Sequence, residues 1–150
     1  MRRPKLSVLT AVRNGAPFLD ETLASIAAQR FTDFEHVVAD GASTDGTLEL
    51  LARHPSAQVV SEPDADANEG FRKALARARG DYLCICCVSD GYLEPEWFGL
   101  CVELLDKDPE LSLVWGFPRH KRADGTLGEI SYAELLADPP PRKREHLAFW

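Results

Sequence analysis

Residues 34–47 of the chain read Phe34-Glu35-His36-Val37-Val38-Ala39-Asp40-Gly41-Ala42-Ser43-Thr44-Asp45-Gly46-Thr47. The first half is a run of mostly apolar, β-forming residues, and it predicts a strand over residues 34–40. The second half is a loop of glycine and small polar residues, which are the usual turn formers. A short helix is predicted directly after it, over residues 47–53. Strand, polar loop and helix in immediate succession are the repeating unit of an α/β fold.

The same alternation extends along most of the chain. Further strands are predicted over residues 6–12, 57–61, 81–88 and 111–117, and further helices over residues 17–29, 68–79 and 95–106. Strands joined by helices in this way form a parallel sheet with right-handed crossovers. Residues 81–88 are almost continuously apolar, which predicts a central strand buried on both faces. Ligands of such sheets bind at the carboxyl ends of the strands, where the polar clusters of this sequence fall.

The composition describes a globular, acidic chain of 150 residues with a formal net charge of −7. This length suits one compact domain. An acidic protein repels polyphosphate backbones, so nucleic acid is not expected as a partner. The four cysteines lie in apolar surroundings without zinc-site spacing, and we interpret them as buried free thiols of a cytoplasmic protein. No apolar run reaches the roughly 18 residues of a membrane span, although peripheral membrane attachment through a further segment stays open.

The alternation of strands and helices stops near residue 117, so we expect a core of residues 1–117 and a separate region of residues 118–150. Asp124-Gly125 predicts a hairpin turn between residues 119–122 and 126–131. A stiff, basic, proline-rich stretch follows, and the chain stops on apolar residues. Apolar termini usually continue into further structure, so we expect the chain to be part of a longer protein.

Two polar clusters follow the first and second predicted strands. In the first, Thr10-Ala11-Val12-Arg13-Asn14-Gly15, backbone groups can face a flat base while Arg13 reaches a phosphate; an ordinary loop is the alternative interpretation. In the second, Asp40 is placed to accept a hydrogen bond from a uracil-like ring N–H or a ribose hydroxyl. Capping of the next helix by Ser43 or Thr44 is the structural alternative for this loop.

Two more clusters follow the third strand and the strand predicted over residues 81–88. Residues 61–68 hold three carboxylates within five positions, which suits either a solvated loop or a cation site. Arg72 and Lys73, one helical turn later, are the natural counter-charges for a diphosphate. Asp90 emerges from the apolar strand and is a candidate ligand for Mg²⁺ or Mn²⁺ bridging two phosphates. A capped turn before the next helix is the alternative interpretation of that cluster.

Taken together, the clusters resemble inverting glycosyltransferases of family 2, which have the GT-A fold. The matching segments cover residues 6–15, 40–47, 61–64, 78–83 and 89–95. The resemblance implies a Rossmann-like, three-layer α/β/α domain with a mostly parallel sheet. It also implies a UDP- or dTDP-linked sugar donor, transfer with inversion to a sugar or lipid-linked acceptor, a divalent metal, and a place in polysaccharide or cell-envelope glycan synthesis. The expected nucleotide-sugar contacts are Thr10, Ala11, Arg13, Asn14, Asp40, Ser43, Arg72, Lys73 and Ser89, and the expected metal ligand is Asp90.

The sequence departs from the family pattern at two points. The acidic metal motif usually holds two carboxylates, whereas Val88 and Gly91 flank Ser89-Asp90 here. No residue matches the family's catalytic base, so the catalytic residue stays unassigned; Glu129 and Glu134 are the carboxylates in the expected acceptor-side region. A catalytically inactive nucleotide-binding or assembly module of the same fold is therefore an alternative. A nucleotidyltransferase needs a longer phosphate loop after the first strand, and a Rossmann dehydrogenase needs a Gly-x-Gly-x-x-Gly motif there.

Overall fold

The computed structural model describes residues 2–116, 119–122 and 124–128. Four strands and four helices alternate along the chain, and the strands form one parallel sheet in the order β3-β2-β1-β4. The elements are β1 (Leu6–Val12), α1 (Ala16–Ala27), β2 (Phe34–Asp40), α2 (Thr47–Leu51), β3 (Ala57–Ser61), α3 (Ala67–Leu75), β4 (Tyr82–Ile85) and α4 (Trp97–Lys107). The predicted parallel α/β sheet is therefore confirmed.

Helices cover both faces of the sheet, which makes the three predicted layers. Alternate residues of a strand point to opposite faces. On one face, Val8 and Val12 of β1 pack in two clusters with apolar residues of α1, α2 and α4. On the other face, Leu9 of β1 packs with Val37 and Ala39 of β2 and with Ala74 of α3. This burial on both faces explains why most residues of β1 and β2 are buried, including polar ones such as Thr10 and Glu35.

The fourth strand differs from its prediction. β4 ends at Ile85 instead of Val88, and among the described residues it is an edge strand. Its apolar side chains do not make it buried on both faces, because Leu83 and Ile85 are 53% and 52% exposed. The chain turns after β4, where Ser89 takes a left-handed conformation with φ of 77° and the Asp90 N–H donates to the Cys87 carbonyl.

The region after α4 is only partly described. Residues 111–116, the described part of the strand predicted over 111–117, form no strand. The Asp124-Gly125 turn is confirmed: Lys121 bridges Leu127 in antiparallel fashion, and Gly125 has φ of 84°. Glu129, Glu134 and the basic proline-rich stretch lie outside the described residues.

Backbone contacts divide the chain into Met1–Leu113 and Val114–Trp150. All eight named elements lie in the first unit. The boundary after residue 117 and the acceptor-side role of the second region remain predictions. Among the described helices, none has both the length and the apolar character needed to cross a membrane.

A buried carboxylate fixes the amino-terminal edge of the sheet. Both Glu35 oxygens are used: Ser7 Oγ and the Arg79 N–H donate to Oε1, and Gln58 Nε2 and the Arg79 guanidinium donate to Oε2. Burial raises the pKa of Glu35, but the hydrogen bonds from Arg79, Ser7 and Gln58 outweigh it and hold the pKa at about 2. This network ties the segment between α3 and β4 to the first two strands.

Candidate functional site

The four parallel strands place four polar loops along one edge of the sheet. Following the strand order, these are the loops after β3, β2, β1 and β4, with residues 62–66, 41–46, 13–15 and 86–96. Carboxyl ends of parallel strands form the usual ligand-binding edge of an α/β sheet. Every cluster predicted from the sequence therefore falls at this edge, apart from Arg72 and Lys73 in α3.

The loops after β1 and β2 are joined by side-chain hydrogen bonds. Asn14 has a left-handed backbone with φ of 52°; its N–H donates to Ser43 Oγ at 2.8 Å, and its Oδ1 accepts from the Thr44 N–H at 2.9 Å. The alternative interpretation, in which Ser43 or Thr44 caps the following helix, is wrong. α2 begins after Gly46, and no side chain caps it. Ser43 instead supports the loop that carries Arg13.

The same two loops meet again at the start of α1. The Gly15 N–H donates to Thr47 Oγ1 at 2.9 Å, and the Ala16 N–H donates to Asp45 Oδ2 at 3.1 Å. Thr47 Oγ1 in turn donates to Asp45 Oδ1 at 2.6 Å. The hydrogen bond from Thr47, helped by the Ala16 N–H, lowers the pKa of Asp45, which favours its charged form.

Asp40 lies at the carboxyl end of β2, as predicted, and is almost fully buried. Its Oδ2 accepts from the Ser43 N–H at 3.1 Å and from Ser61 Oγ at 2.6 Å. Its Oδ1 is enclosed and, among the described residues, has no hydrogen-bond partner. Buried polar atoms are nearly always paired, so this oxygen is a candidate acceptor for a hydrogen bond from a bound molecule or from water.

Thr10 and Ala11 take different positions at the end of β1. Thr10 is fully buried, and its hydroxyl pairs with His36 Nε2 at 3.0 Å. Burial, with a smaller effect of His54, lowers the pKa of His36 to about 4, so the ring is neutral near pH 7. The Thr10 side chain is therefore enclosed by the protein, whereas Ala11 is partly exposed near the carboxyl end of β1.

Asp64 also lies at this edge of the sheet, although it is not among the contacts expected from the sequence. A Cβ on Gly41 would lie 2.6 Å from Asp64 Oδ1, and a Cβ on Gly70 would lie 3.2 Å from Asp64 Oδ2 and 2.9 Å from Ala11 Cβ. Two glycines therefore make the notch that holds this carboxylate beside the end of β1. Arg13 also reaches this loop, with Nη1 3.5 Å from the Asp64 carbonyl oxygen. The signal was present in Gly41 and Gly70, but only the fold shows that they are neighbours.

Arg72 and Lys73, the two cations predicted to face a diphosphate, differ in how far the protein already engages their charged groups. Lys73 Nζ donates to the carbonyls of Pro63 at 2.5 Å and Glu62 at 3.4 Å and lies 3.6 Å from Glu69 Oε1. Lys73 therefore supports the acidic loop. Arg72 is exposed, and within the described part of the chain no partner of its guanidinium is seen.

The acidic loop also has a structural component. Asp66 caps α3 by accepting from the Glu69 N–H at 2.9 Å, and Glu69 accepts from the Ala65 N–H at 2.9 Å. This reciprocal pair is a helix N-terminal motif. Of the three carboxylates predicted here, Asp66 is thus used by the fold, and Glu62 pairs with Arg77 at 3.5 Å.

The turn after β4 presents Ser89 and Asp90 to solvent. Thr22 Oγ1 of α1 donates to the Asp90 carbonyl at 2.7 Å, which anchors the turn. The described residues contain no group of three histidine, cysteine or acidic side chains that suits a metal ion. A hard divalent cation takes six or more oxygen ligands, so Asp90 fits a metal only as one ligand among oxygens from a bound molecule and water.

A parallel sheet of this order, with helices on both faces and polar loops at one edge, is a Rossmann-like α/β arrangement, and this chain shares it with solved glycosyltransferases. The family model of Glycosyl transferase family 2 matches residues 7–146. The chain therefore belongs to Glycosyl transferase family 2.

Three relatives illustrate the similarity. A chondroitin synthase of Pasteurella multocida is 29% identical over a match of 130 residues that covers 84% of this chain and 13% of the relative. The mannosyltransferase PcManGT from Pyrobaculum calidifontis, in complex with GDP-Man and Mn²⁺, has a TM-score of 0.65 and 29% identity over 73% of this chain and 34% of that one. S. aureus TarS in complex with UDP-GlcNAc has a TM-score of 0.65 and 26% identity over 69% of this chain and 31% of that one. The chain spans about a third or less of these relatives' lengths.

Proposed function

We propose that this chain is the donor-binding part of an inverting glycosyltransferase that takes a UDP- or dTDP-linked sugar. The observation that carries the proposal is the convergence of the Arg13 loop, Asp40 and the Asp64 notch at one edge of the parallel sheet. Membership of Glycosyl transferase family 2 supports the reaction class. The UDP-GlcNAc and GDP-Man bound to two structural relatives support a nucleotide-sugar donor.

The described side chains divide into contacts and supports in this proposal. Arg13 and Arg72 are the exposed cations that face the diphosphate, where a guanidinium donates two parallel hydrogen bonds to phosphate oxygens. Asp40 and Asp64 accept from the base or ribose, and Ala11 borders the base. Thr10, Asn14, Ser43 and Lys73 act through the loops that they hold, because their polar groups are already paired within the protein.

A divalent metal, Mn²⁺ or Mg²⁺, belongs to the proposal as a partner of the diphosphate. Asp90 supplies one carboxylate beside the Ser89 hydroxyl, and both are exposed at the edge of the sheet. The metal's chemistry would be to neutralise the charge of the leaving diphosphate. The Mn²⁺ bound with GDP-Man in a structural relative supports this expectation.

Binding of Mn²⁺ is expected to depend on the nucleotide. With one protein carboxylate, Mn²⁺ alone should bind barely detectably in calorimetry, yet it should tighten UDP binding because the diphosphate oxygens complete its coordination. Asp90→Asn should remove the Mn²⁺ effect and leave metal-free UDP binding unchanged. Glu94→Gln, a nearby exposed carboxylate, is the matched control. Tight Mn²⁺ binding without nucleotide that survives Asp90→Asn would refute the assignment.

Transfer itself needs a base for the acceptor hydroxyl, and a positioned base is worth roughly 10²–10⁴-fold in rate. No described residue is assigned to this role, and Glu129 and Glu134 lie outside the described residues. We place the reaction in the cytoplasm, in polysaccharide or cell-envelope glycan synthesis with a sugar or lipid-linked acceptor. The four free cysteines and the similarity to a chondroitin synthase support these two expectations.

One observation favours a second function, nucleotide-sugar binding without catalysis. Val88 and Gly91 flank Ser89-Asp90 where the family motif usually has a second carboxylate, and a Cβ at Gly91 would lie 3.0 Å from Ser25 Oγ and 3.2 Å from Ser25 Cβ. A side chain at this position would crowd α1, so the packing of this chain suits the loss of that carboxylate. Donor hydrolysis by a longer form of the protein, measured with and without Mn²⁺, separates the two functions: a binding module gives none.

A further inference from the structure

The loop that carries Arg13 is held by Asp45 of the loop after β2 and by Thr47, the first residue of α2. The N–H groups of Gly15 and Ala16 lie at the amino end of α1, where a helix leaves its first N–H groups without partners inside the helix. Thr47 Oγ1 and Asp45 Oδ2 accept these two hydrogen bonds, and Asp45 Oδ1 accepts from Thr47 as well. The amino end of α1 is thereby occupied by protein groups.

Neither Thr47 nor Asp45 is suited to contact a bound nucleotide sugar directly, because the side-chain oxygens of both are hydrogen-bonded within the protein. Thr47 is fully buried, and its hydroxyl is committed to Gly15 and Asp45. Asp45 is exposed, but both of its oxygens accept hydrogen bonds from the protein. Their common effect is on the backbone that follows Arg13, where Asn14 is held in the left-handed conformation.

We propose that Thr47 and Asp45 are positioning residues for the donor, which act by fixing the direction of Arg13. The inference rests on the proposed donor-binding function. The Arg13 side chain is exposed, and its Nη1 makes one long hydrogen bond of 3.5 Å to the Asp64 carbonyl oxygen. A flexible side chain binds more weakly when its backbone is also free, because more conformational freedom is lost on binding. Because the backbone after Arg13 is already fixed, the protein loses less conformational freedom when the donor binds.

A double-mutant cycle tests this coupling, with UDP plus Mn²⁺ as the probe in calorimetry. Thr47→Val keeps the shape of the buried side chain and removes the hydroxyl, and we expect UDP affinity to fall about tenfold, equivalent to about 1.4 kcal/mol. Thr47→Ser keeps the hydroxyl and should restore affinity to within about twofold. In an Arg13→Ala background, Thr47→Val should change UDP affinity by less than about twofold, because interacting residues are not additive.

Asp45→Asn is the second variant, since an exposed residue of the same size leaves the fold intact. An amide has one acceptor oxygen in place of two, so either Ala16 or Thr47 loses its partner, and UDP affinity should fall. Ser7→Ala is the matched control: it removes a buried hydroxyl at the opposite edge of the sheet and should lower thermal stability without changing UDP affinity.

The possible results separate the positioning role of Thr47 and Asp45 from the donor-binding function on which it rests. If wild-type protein binds UDP but Thr47→Val binds equally well, or its effect adds fully to that of Arg13→Ala, the positioning role is overturned. If Ser7→Ala weakens UDP binding as much as Thr47→Val, lost stability explains both and the positioning role is overturned. If folded wild-type protein binds no nucleotide, the donor-binding function fails and this inference fails with it.

Discussion

Replacing Asp40 with alanine is expected to weaken UDP binding by about 1–3 kcal/mol, the usual cost of removing the partner of a buried polar group. Oδ1 of Asp40 is the enclosed oxygen that, within the described part of the chain, has no partner. A ring N–H or ribose hydroxyl of the donor can supply that partner if the loop of residues 41–44 shifts slightly. Calorimetry with UDP measures the loss.

The same substitution should also lower the free energy of unfolding, by roughly 1–3 kcal/mol, because the Ser43 N–H and the Ser61 hydroxyl lose their acceptor. Ser61→Ala separates the two effects, since it removes one hydrogen bond and keeps the carboxylate. We expect this control to lower stability and to leave UDP affinity close to the wild-type value. Unchanged UDP affinity in Asp40→Ala, with the fold intact, would show that Asp40 is only a structural residue.

Replacing Glu35 with alanine is expected to lower the free energy of unfolding by about 3 kcal/mol at pH 7. The Glu35 side chain is 5% exposed, and its loss leaves Ser7, Gln58 and Arg79 without their common acceptor. A pKa of about 2 in place of 4.5 gives a similar value, since one pKa unit corresponds to about 1.4 kcal/mol. Chemical denaturation gives the difference directly.

The contribution of Glu35 has a defined pH dependence. Because the folded-state pKa is below the unfolded-state value, the stabilisation is complete above pH 4.5 and is lost as the pH falls toward 2. Unfolding free energies of wild-type and Glu35→Ala protein should therefore converge as the pH falls through this window. Glu103→Ala, which breaks an exposed ion pair in α4, should cost at most about 0.5 kcal/mol. A constant difference between wild type and Glu35→Ala down to pH 2 would contradict the role of its charge.

The parts of the fold that could be predicted from the sequence are those fixed by local pattern. β1, β2 and β3 have the predicted bounds, because a short β-forming run followed by a polar loop leaves little choice. The bounds of the helices differ by at most two residues, as helix ends commonly do, except that α3 ends four residues earlier than predicted. β4 was predicted less well: an apolar run alone does not tell whether both faces of a strand are covered, and Leu83 and Ile85 are half exposed.

The site was predicted in outline, but the partners of its side chains were not. Ser43 is among the expected nucleotide-sugar contacts, with helix capping as the alternative, and its hydroxyl accepts a hydrogen bond from the Asn14 N–H of another loop. Lys73 was expected to face a diphosphate, and it holds the carbonyls of Glu62 and Pro63. Local sequence shows which groups are polar, whereas tertiary contacts decide which of them are already satisfied. Asp64 was missed for the same reason.

Donor binding is the central claim, and a calorimetric titration of the purified chain with UDP, dTDP and GDP, each with and without Mn²⁺, tests it most directly. The structure predicts saturable binding of UDP or dTDP that becomes tighter when Mn²⁺ is added. A chain that is folded by circular dichroism and binds none of the three nucleotides, with or without the metal, would contradict the claim.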